Sequence, residues 1–462
     1  MPHHLAANSM KHQCLFTLAG CLALSTMTLI AQEKPKTWSL EACLQYAYQQ
    51  NIDLKKSRLT LESSQIDTKN AKAKLFPSLS AGVSYQYNNT PFQETNSNDL
   101  DNYIITGNSG SDKNQISGSY NLRSSLTLFN GGKLLNQIKS SKIAEEMQNA
   151  TLEETFDNIE SAIVTGYLQI LYAQESVRIN ENTVEVSKAQ CERGEKLKNA
   201  GTLSESDYAQ LVSQYSSDKY QLVVSQNTLD QNILTLKQLL ELGIDESINI
   251  LTPDLDDTDV LTPIATQNEI YQTALLCLPN IKYNELNISA AKLDIKSAQA
   301  GYYPSLSLSA GVSTGHLSTS EGRTGSQMKN KLSESIGLSL SIPIYSNRDT
   351  RSAVSKARIA ATTAELDLLN AKKTLLSDIE NLCLEVKAAQ EQYVSAQEQV
   401  VAAQASYDLI QEKFNRGMAN TLELLTEKNN LLSAQQQVLQ AKYMAILNRL
   451  LLNIYQNKPI TL

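Results

Sequence analysis

Phe76-Pro77-Ser78-Leu79-Ser80-Ala81-Gly82-Val83-Ser84 returns as Tyr303-Pro304-Ser305-Leu306-Ser307-Leu308-Ser309-Ala310-Gly311-Val312-Ser313, and each copy stands between long stretches of helical pattern. A chain that repeats a helix, hairpin, helix unit must fold so that two equivalent halves share one frame. The spacing is informative. Phe129 to Tyr345 and Gly201 to Gly417 span equal lengths, whereas Pro77 to Pro304 spans more. The helical arms have kept their length while a hairpin loop has shortened, as expected when packing fixes the arms and the loop is external.

Residues 38–75 read as a helix, with Ser39 as cap, Leu40, Cys43, Leu44 and Ala47 on one face, and Pro77 as the stop. The period then changes to two. Leu79, Ala81, Val83, Tyr85 and Tyr87 alternate with small polar residues, and after a polar loop over 88–115 a second strand places Ile116, Tyr120, Leu122, Leu126 and Leu128 on one face. The second copy offers Leu306, Leu308, Ala310 and Val312, a loop to about 333, then Ile336, Leu338, Leu340, Ile342 and Ile344. Strands of this length suffice to cross an outer membrane when tilted, which takes about 9–11 residues. Four strands cannot close a membrane barrel, and open edges in lipid leave backbone groups unpaired, so several chains must share one barrel. Twelve strands from three chains is the smallest arrangement that also leaves a pore.

From Gly132 to Lys198 the sequence has no Pro, and its only interior glycines are Gly166 and Gly194. That length makes a helix of about 100 Å. Residues 203–242 form its return arm, and the copy runs over 348–415 and back over 420–455. Ala388, Ala389, Ala396, Ala402, Ala403 and Ala405 let helices approach closely. These are coiled-coil-like hairpins projecting from the strands. The fold class is therefore a set of helical hairpins plus a four-strand contribution to a shared transmembrane β-barrel, internally duplicated. Its parts are a signal peptide (1–31), a first repeat (32–243, with β-hairpin 77–130 and helical hairpin 131–243), a linker (244–262) and a second repeat (263–462, with β-hairpin 304–345 and helical hairpin 346–457). The linker carries Asp245, Glu246, Asp254, Asp256, Asp257 and Asp259 without a basic residue and reads as exposed.

Lys11 and His12 precede an apolar run from Cys14 to Ile30 with no second hydrophobic span behind it, the pattern of an export signal. Leu18-Ala19-Gly20-Cys21 has the form of a lipidation site at Cys21, while the run continuing past Cys21 favours cleavage near Ala31. With one Trp, six Phe and a formal net charge of -8, the chain suits neither a thick globular core nor nucleic-acid binding. Beyond the leader Cys43, Cys191, Cys277 and Cys383 are isolated singletons suited to apolar filling, and His316, in a Gly/Ser/Thr-rich loop, is the only His. Metal sites, cofactor sites and histidine-based catalysis have little to be made from, which argues against an enzyme.

The ordered set of Trp38-Ser39-Leu40-Glu41-Ala42 with Asn51, the two helix-to-strand passages, and the turns Asn199-Ala200-Gly201-Thr202-Leu203-Ser204-Glu205-Ser206-Asp207 and Phe414-Asn415-Arg416-Gly417-Met418-Ala419-Asn420-Thr421-Leu422-Glu423 resembles the TolC-like outer membrane efflux protein family. The resemblance implies a homotrimer in the cell outer membrane with a large periplasmic portion. It implies an exit duct for a tripartite efflux pump, working with a periplasmic adaptor and an inner-membrane pump. The same family layout serves type I protein secretion, and a coiled-coil envelope structural protein is the rival from outside it. By resemblance Gly201, Thr202, Gly417 and Met418 belong to adaptor-contacting tips, and Asp207, with Ser206 beside it, and Glu423 match acidic entrance positions. A further family aspartate falls on Thr426, and the family's gate Tyr and Arg fall on Phe414 and Ala419, so the entrance needs a Phe contact or a different charge pair. Each lumen-facing acid in a trimer becomes a ring of three like charges. The plain alternative is that Asp207 and Glu423 are first-turn acids stabilising helix N-termini.

Overall fold

The computed structural model describes residues 37–89, 114–253, 255–318, 320, 322–460 and 462; the leader with Cys21 and most of the first hairpin loop lie outside them. The first repeat comprises α1 (Leu40–Gln50), α2 (Ile52–Ala73), β1 (Ser78–Asn89), β2 (Asn114–Asn130), α3 (Lys133–Asn199) and α4 (Glu205–Leu239). A short helix α5 (Asp257–Val260) follows, then α6 (Gln267–Cys277), α7 (Pro279–Gln299), β3 (Ser305–Leu317), α8 (Thr324–Asn330), β4 (Ser333–Ser341), α9 (Asp349–Asn415) and α10 (Thr421–Tyr455).

The duplication is metric. The long arms α3 and α9 each have 67 residues, the return arms α4 and α10 each have 35, and the opening helices α1 and α6 each have 11. The single helix read over 38–75 is in fact two. Asn51 stops α1 with an extended ψ and caps α2, its side chain accepting from the amides of Asp53 and Leu54 at 2.9 and 3.3 Å while its Nδ2 donates to the Leu239 carbonyl. In the second repeat the equivalent break falls at Leu278, where Pro279 occupies the first position of α7.

Helices α3 and α9 run from the sheet to the tips; α2 and α7 lie beside their sheet-proximal halves, and α4 and α10 beside their distal halves. The buried residues recur every seven positions. On α9 Ile379, Val386, Tyr393, Tyr407 and Phe414 follow this step with Ala389 and Ala396 beside them, and on α3 Gly166, Ala173, Asn180, Ser187 and Gly194 do the same. A strict seven-residue period is the seam of left-handed coiled coils, and on α3 it is made of small and polar residues. Of the six alanines picked from the sequence, Ala389 and Ala396 are buried and Ala403 half-buried, whereas Ala388, Ala402 and Ala405 are exposed.

At the waist the repeats are tied together. A core of Trp38, Leu44, Leu54, Ile163, Tyr167, Leu236, Ile446 and Leu450 draws on α1, α2, α3, α4 and α10. The acidic linker is part of this knot, contrary to its exposed composition: Ile250 and Val260 are buried, Trp38 bridges Ile250, and the Tyr167 hydroxyl donates to the Leu251 carbonyl at 2.5 Å. Lys442 and Gln390 donate to the carbonyls of Leu255 and Val260. Cys43 and Cys383 are buried fillers, as the sequence indicates, and burial pushes the Cys43 thiol up to about 12. Cys277 is exposed and departs from that expectation.

The strands form one antiparallel sheet in the order β1-β2-β3-β4, with a bulge between Thr127 and Phe129. Strand β3 extends through His316, which the composition had suggested was loop, because Gly118 opposite it leaves room for the ring against Tyr85 and Tyr120. Strand β4 ends at Ser341, so Ile342 and Ile344 lie outside it; Pro343, which has no backbone N–H to donate, keeps them from extending the ladder. Much of the apolar face is open: Leu79, Val83, Ile336 and Leu338 are all at least 66% exposed, while toward the far end of the sheet α8 packs on β3, where the Thr314 hydroxyl donates to the Met328 carbonyl. Among the described residues no helix is long and apolar enough to cross a membrane.

Candidate channel entrance

Both helical hairpins turn on a left-handed glycine. Gly201 (φ 75°) and Gly417 (φ 72°) have open space where a side chain would begin, so the backbone conformation alone selects glycine there. The orphan carbonyls at each helix end are closed locally. Gly201 and Thr202 donate to Lys198 and Leu197, and Gly417 and Met418 donate to Phe414 and Lys413. Thr202 and Met418 are exposed at the two turns.

The return helices then start with caps. Ser204 Oγ accepts from the Asp207 amide at 3.1 Å and donates to the Asp207 carboxylate at 2.7 Å. Asn420 Oδ1 accepts from the Glu423 amide at 2.8 Å, and its Nδ2 donates to the Glu423 carboxylate at 3.1 Å. Asp207 and Glu423 thus hold equivalent places, each the third residue of its helix and each engaged with the cap. Asp207 is half-buried, and Glu423 and Ser206 are exposed. Lys198 stands over the Tyr208 ring at 4.3 Å and 3.5 Å from Glu205, which places a cation at the first tip.

Phe414 is 6% exposed and packs with Tyr407, Leu424 and Leu431, with Ala419 against the cluster. Its ring fills the seam within the protomer. The sequence reading missed the polar links between the two hairpins. Asp218 on α4 and Lys428 on α10 form a buried ion pair, and Gln214 donates to Asp218 at 2.8 Å. Desolvation draws the Lys428 ammonium below its ordinary pKa, opposed by the bond to and the charge of Asp218. Gln190 donates to the Tyr407 hydroxyl at 2.9 Å, and Arg193 to the Asn415 carbonyl at 3.1 Å. The signal was present in the seven-residue step: Leu211, Asp218 and Ser225 share one buried stripe, and Thr421 and Lys428 another.

Higher on α3, Tyr48 donates to Glu160 at 3.2 Å and its ring stacks on Phe156. Burial first, then the neighbouring acids Glu160, Glu153 and Glu154, push Asp157 up to about 6. Asp157 lines a groove of about 710 Å³ with Glu154, Asp367 and Asp378.

A four-stranded sheet with one largely exposed apolar face, continued by duplicated helical hairpins, is the fold of the outer membrane channel class. The outer membrane efflux protein family model matches residues 43–241 and again residues 270–452, and the chain belongs to that family. Its members are channels and not enzymes. The chain is 23% identical over 438 residues to outer membrane protein TolC of Escherichia coli (strain K12), covering 93% of this chain and 83% of TolC. The fold is similar to the CusC channel structure (TM-score 0.76, 17% identity, 91% and 92% of the two chains). It is also similar to VceC of Vibrio cholerae (TM-score 0.73, 16% identity, 91% and 96%).

Proposed function

We propose that three copies of this chain form a passive exit duct running from the periplasm through the outer membrane, with a periplasmic adaptor on the tips and an inner-membrane pump supplying energy and most of the selectivity. The observation that carries this reading is the two-faced sheet. Leu79, Val83, Leu122, Leu308, Val312 and Leu338 share one face, and the other is almost wholly Ser, Asn and Gly. Such a sheet suits lipid on one side and water on the other, and four strands with open edges need further copies to satisfy their backbone groups. The small molecules carried out travel along the helical tube, and Asp207 and Glu423 ring its narrow end. Phe414 and the Asp218–Lys428 pair stand where the family's Tyr and Arg links are missing, and they hold the two hairpins together in the closed entrance.

The test is mass measurement in detergent joined to planar-bilayer recording. Three protomers and discrete conductance steps support the duct. A chain that stays soluble without detergent once its leader is removed, and passes no current, supports a structural coiled-coil role instead.

A further inference from the structure

We infer that Arg123 forms a ring of three positive charges inside the barrel, which makes the membrane-spanning part of the duct anion-preferring; this rests on the duct reading above. In the strand register Arg123 lies directly opposite Ser80 on one side and Gly311 on the other, and Gly311 lies opposite Ser335. This row belongs to the polar face, because Ala81, Leu122, Val312 and their neighbours point the other way. The apolar face must meet lipid, so Arg123 looks into the lumen.

Among the described strand residues, Arg123 is the only charged side chain on that face. Its cross-strand neighbours are too small to cover it, and no carboxylate among the described residues pairs with it. A guanidinium stays charged at every accessible pH. Rings of Arg or Lys select anions, and low-dielectric walls focus their field along a narrow bore. The row lies two residues from the helical end of β1, where the barrel meets the helical tube. A solute leaving the tube passes it before reaching the outside. Anionic solutes are therefore favoured at this height, opposite in sign to the acids at the tips about 100 Å away along helices of this length.

Arg123 sits on β2, an interior strand, while the open edges available for contact between protomers are β1 and β4. Substitution there leaves the seams between copies intact. The experiment records reversal potentials of the full-length trimer in planar bilayers under a KCl gradient at low ionic strength, for wild type, Arg123→Lys, Arg123→Gln and Arg123→Glu. The cation-to-anion permeability ratio should rise about twofold or more for Gln, rise further for Glu and stay unchanged for Lys. Block by inorganic tripolyphosphate added from the outer side should weaken in the same order. Both effects should fade near 1 M salt, where the screening length is about 3 Å. Trimers that conduct with the same selectivity and block in all four forms overturn the Arg123 ring and leave the duct standing. A wild-type trimer that passes no current overturns both.

Discussion

Asp218 and Lys428, 210 residues apart in sequence, meet as an ion pair with both side chains 5% exposed, joining the return arm of the first repeat to that of the second. Removing one partner strands a buried charge. Lys428→Met should cost about 3–5 kcal/mol of hairpin stability, whereas Asp218→Leu combined with Lys428→Met should recover most of it. Urea midpoints and limited proteolysis of the helical hairpins measure this. If the pair also holds the entrance closed, the double variant should conduct more often than wild type while keeping most of its stability.

Asp157 gives a pH dependence with a definite sign. Its carboxyl is raised in the folded state from 3.8 to about 6, so between those values the folded chain binds more protons than the unfolded one. This stabilising contribution is full below pH 3.8 and is lost as pH rises through about 6. Asp157→Asn should raise the Tm at pH 8, and the gain should shrink as pH falls through about 6 and vanish below 3.8. An equal gain at both pH values would mean that charge at this site is immaterial.

The tips should be where a second protein binds. Photo-crosslinkers at Thr202 and Met418, both exposed beside left-handed glycines, should capture the adaptor. Capture from Asn89 and Asn114 at the far end of the sheet, and not from the tips, would reverse the orientation of the molecule in the envelope.

The sequence made the large elements legible because their signals are local. A change of hydrophobic period marked the strands, and the absence of Pro over α3 and α9 matched their equal length. The break at Asn51 was hidden because apolar positions keep helical spacing from Leu40 through Leu54 and the stop is a cap, not a Pro or Gly. The linker misled because its six acids dominate the composition while Ile250 and Val260 do the packing. The Asp218–Lys428 pair was half legible: an acid and a base on buried stripes imply partners, but nothing local says that they choose each other across 210 positions. Phe414 shows the reverse problem, since its role was taken from family position while its seven-residue step from Tyr407 already marked it for the seam.

Asp207 and Glu423 can be separated from their capping role by isosteric change. Each carboxylate accepts a bond from its cap, Ser204 Oγ at 2.7 Å or Asn420 Nδ2 at 3.1 Å, and an amide oxygen in the same place accepts equally well. Asp207→Asn with Glu423→Gln should therefore cost only the charge–dipole contribution, about 0.3–1 kcal/mol per helix, and leave the trimer intact. If the proposed trimer gathers these acids at its narrow end, the electrostatic effect should be larger, because up to six carboxylates are lost there. Cation preference in single-channel recordings and block by multivalent cations should both fall, most clearly at low salt. Combined with Arg123→Gln, the shifts in reversal potential should oppose and add, since the two proposed rings would lie far apart without shared partners. Unchanged selectivity and block in the Asp207→Asn, Glu423→Gln trimer would leave both acids as helix caps and move the constriction to another level of the tube.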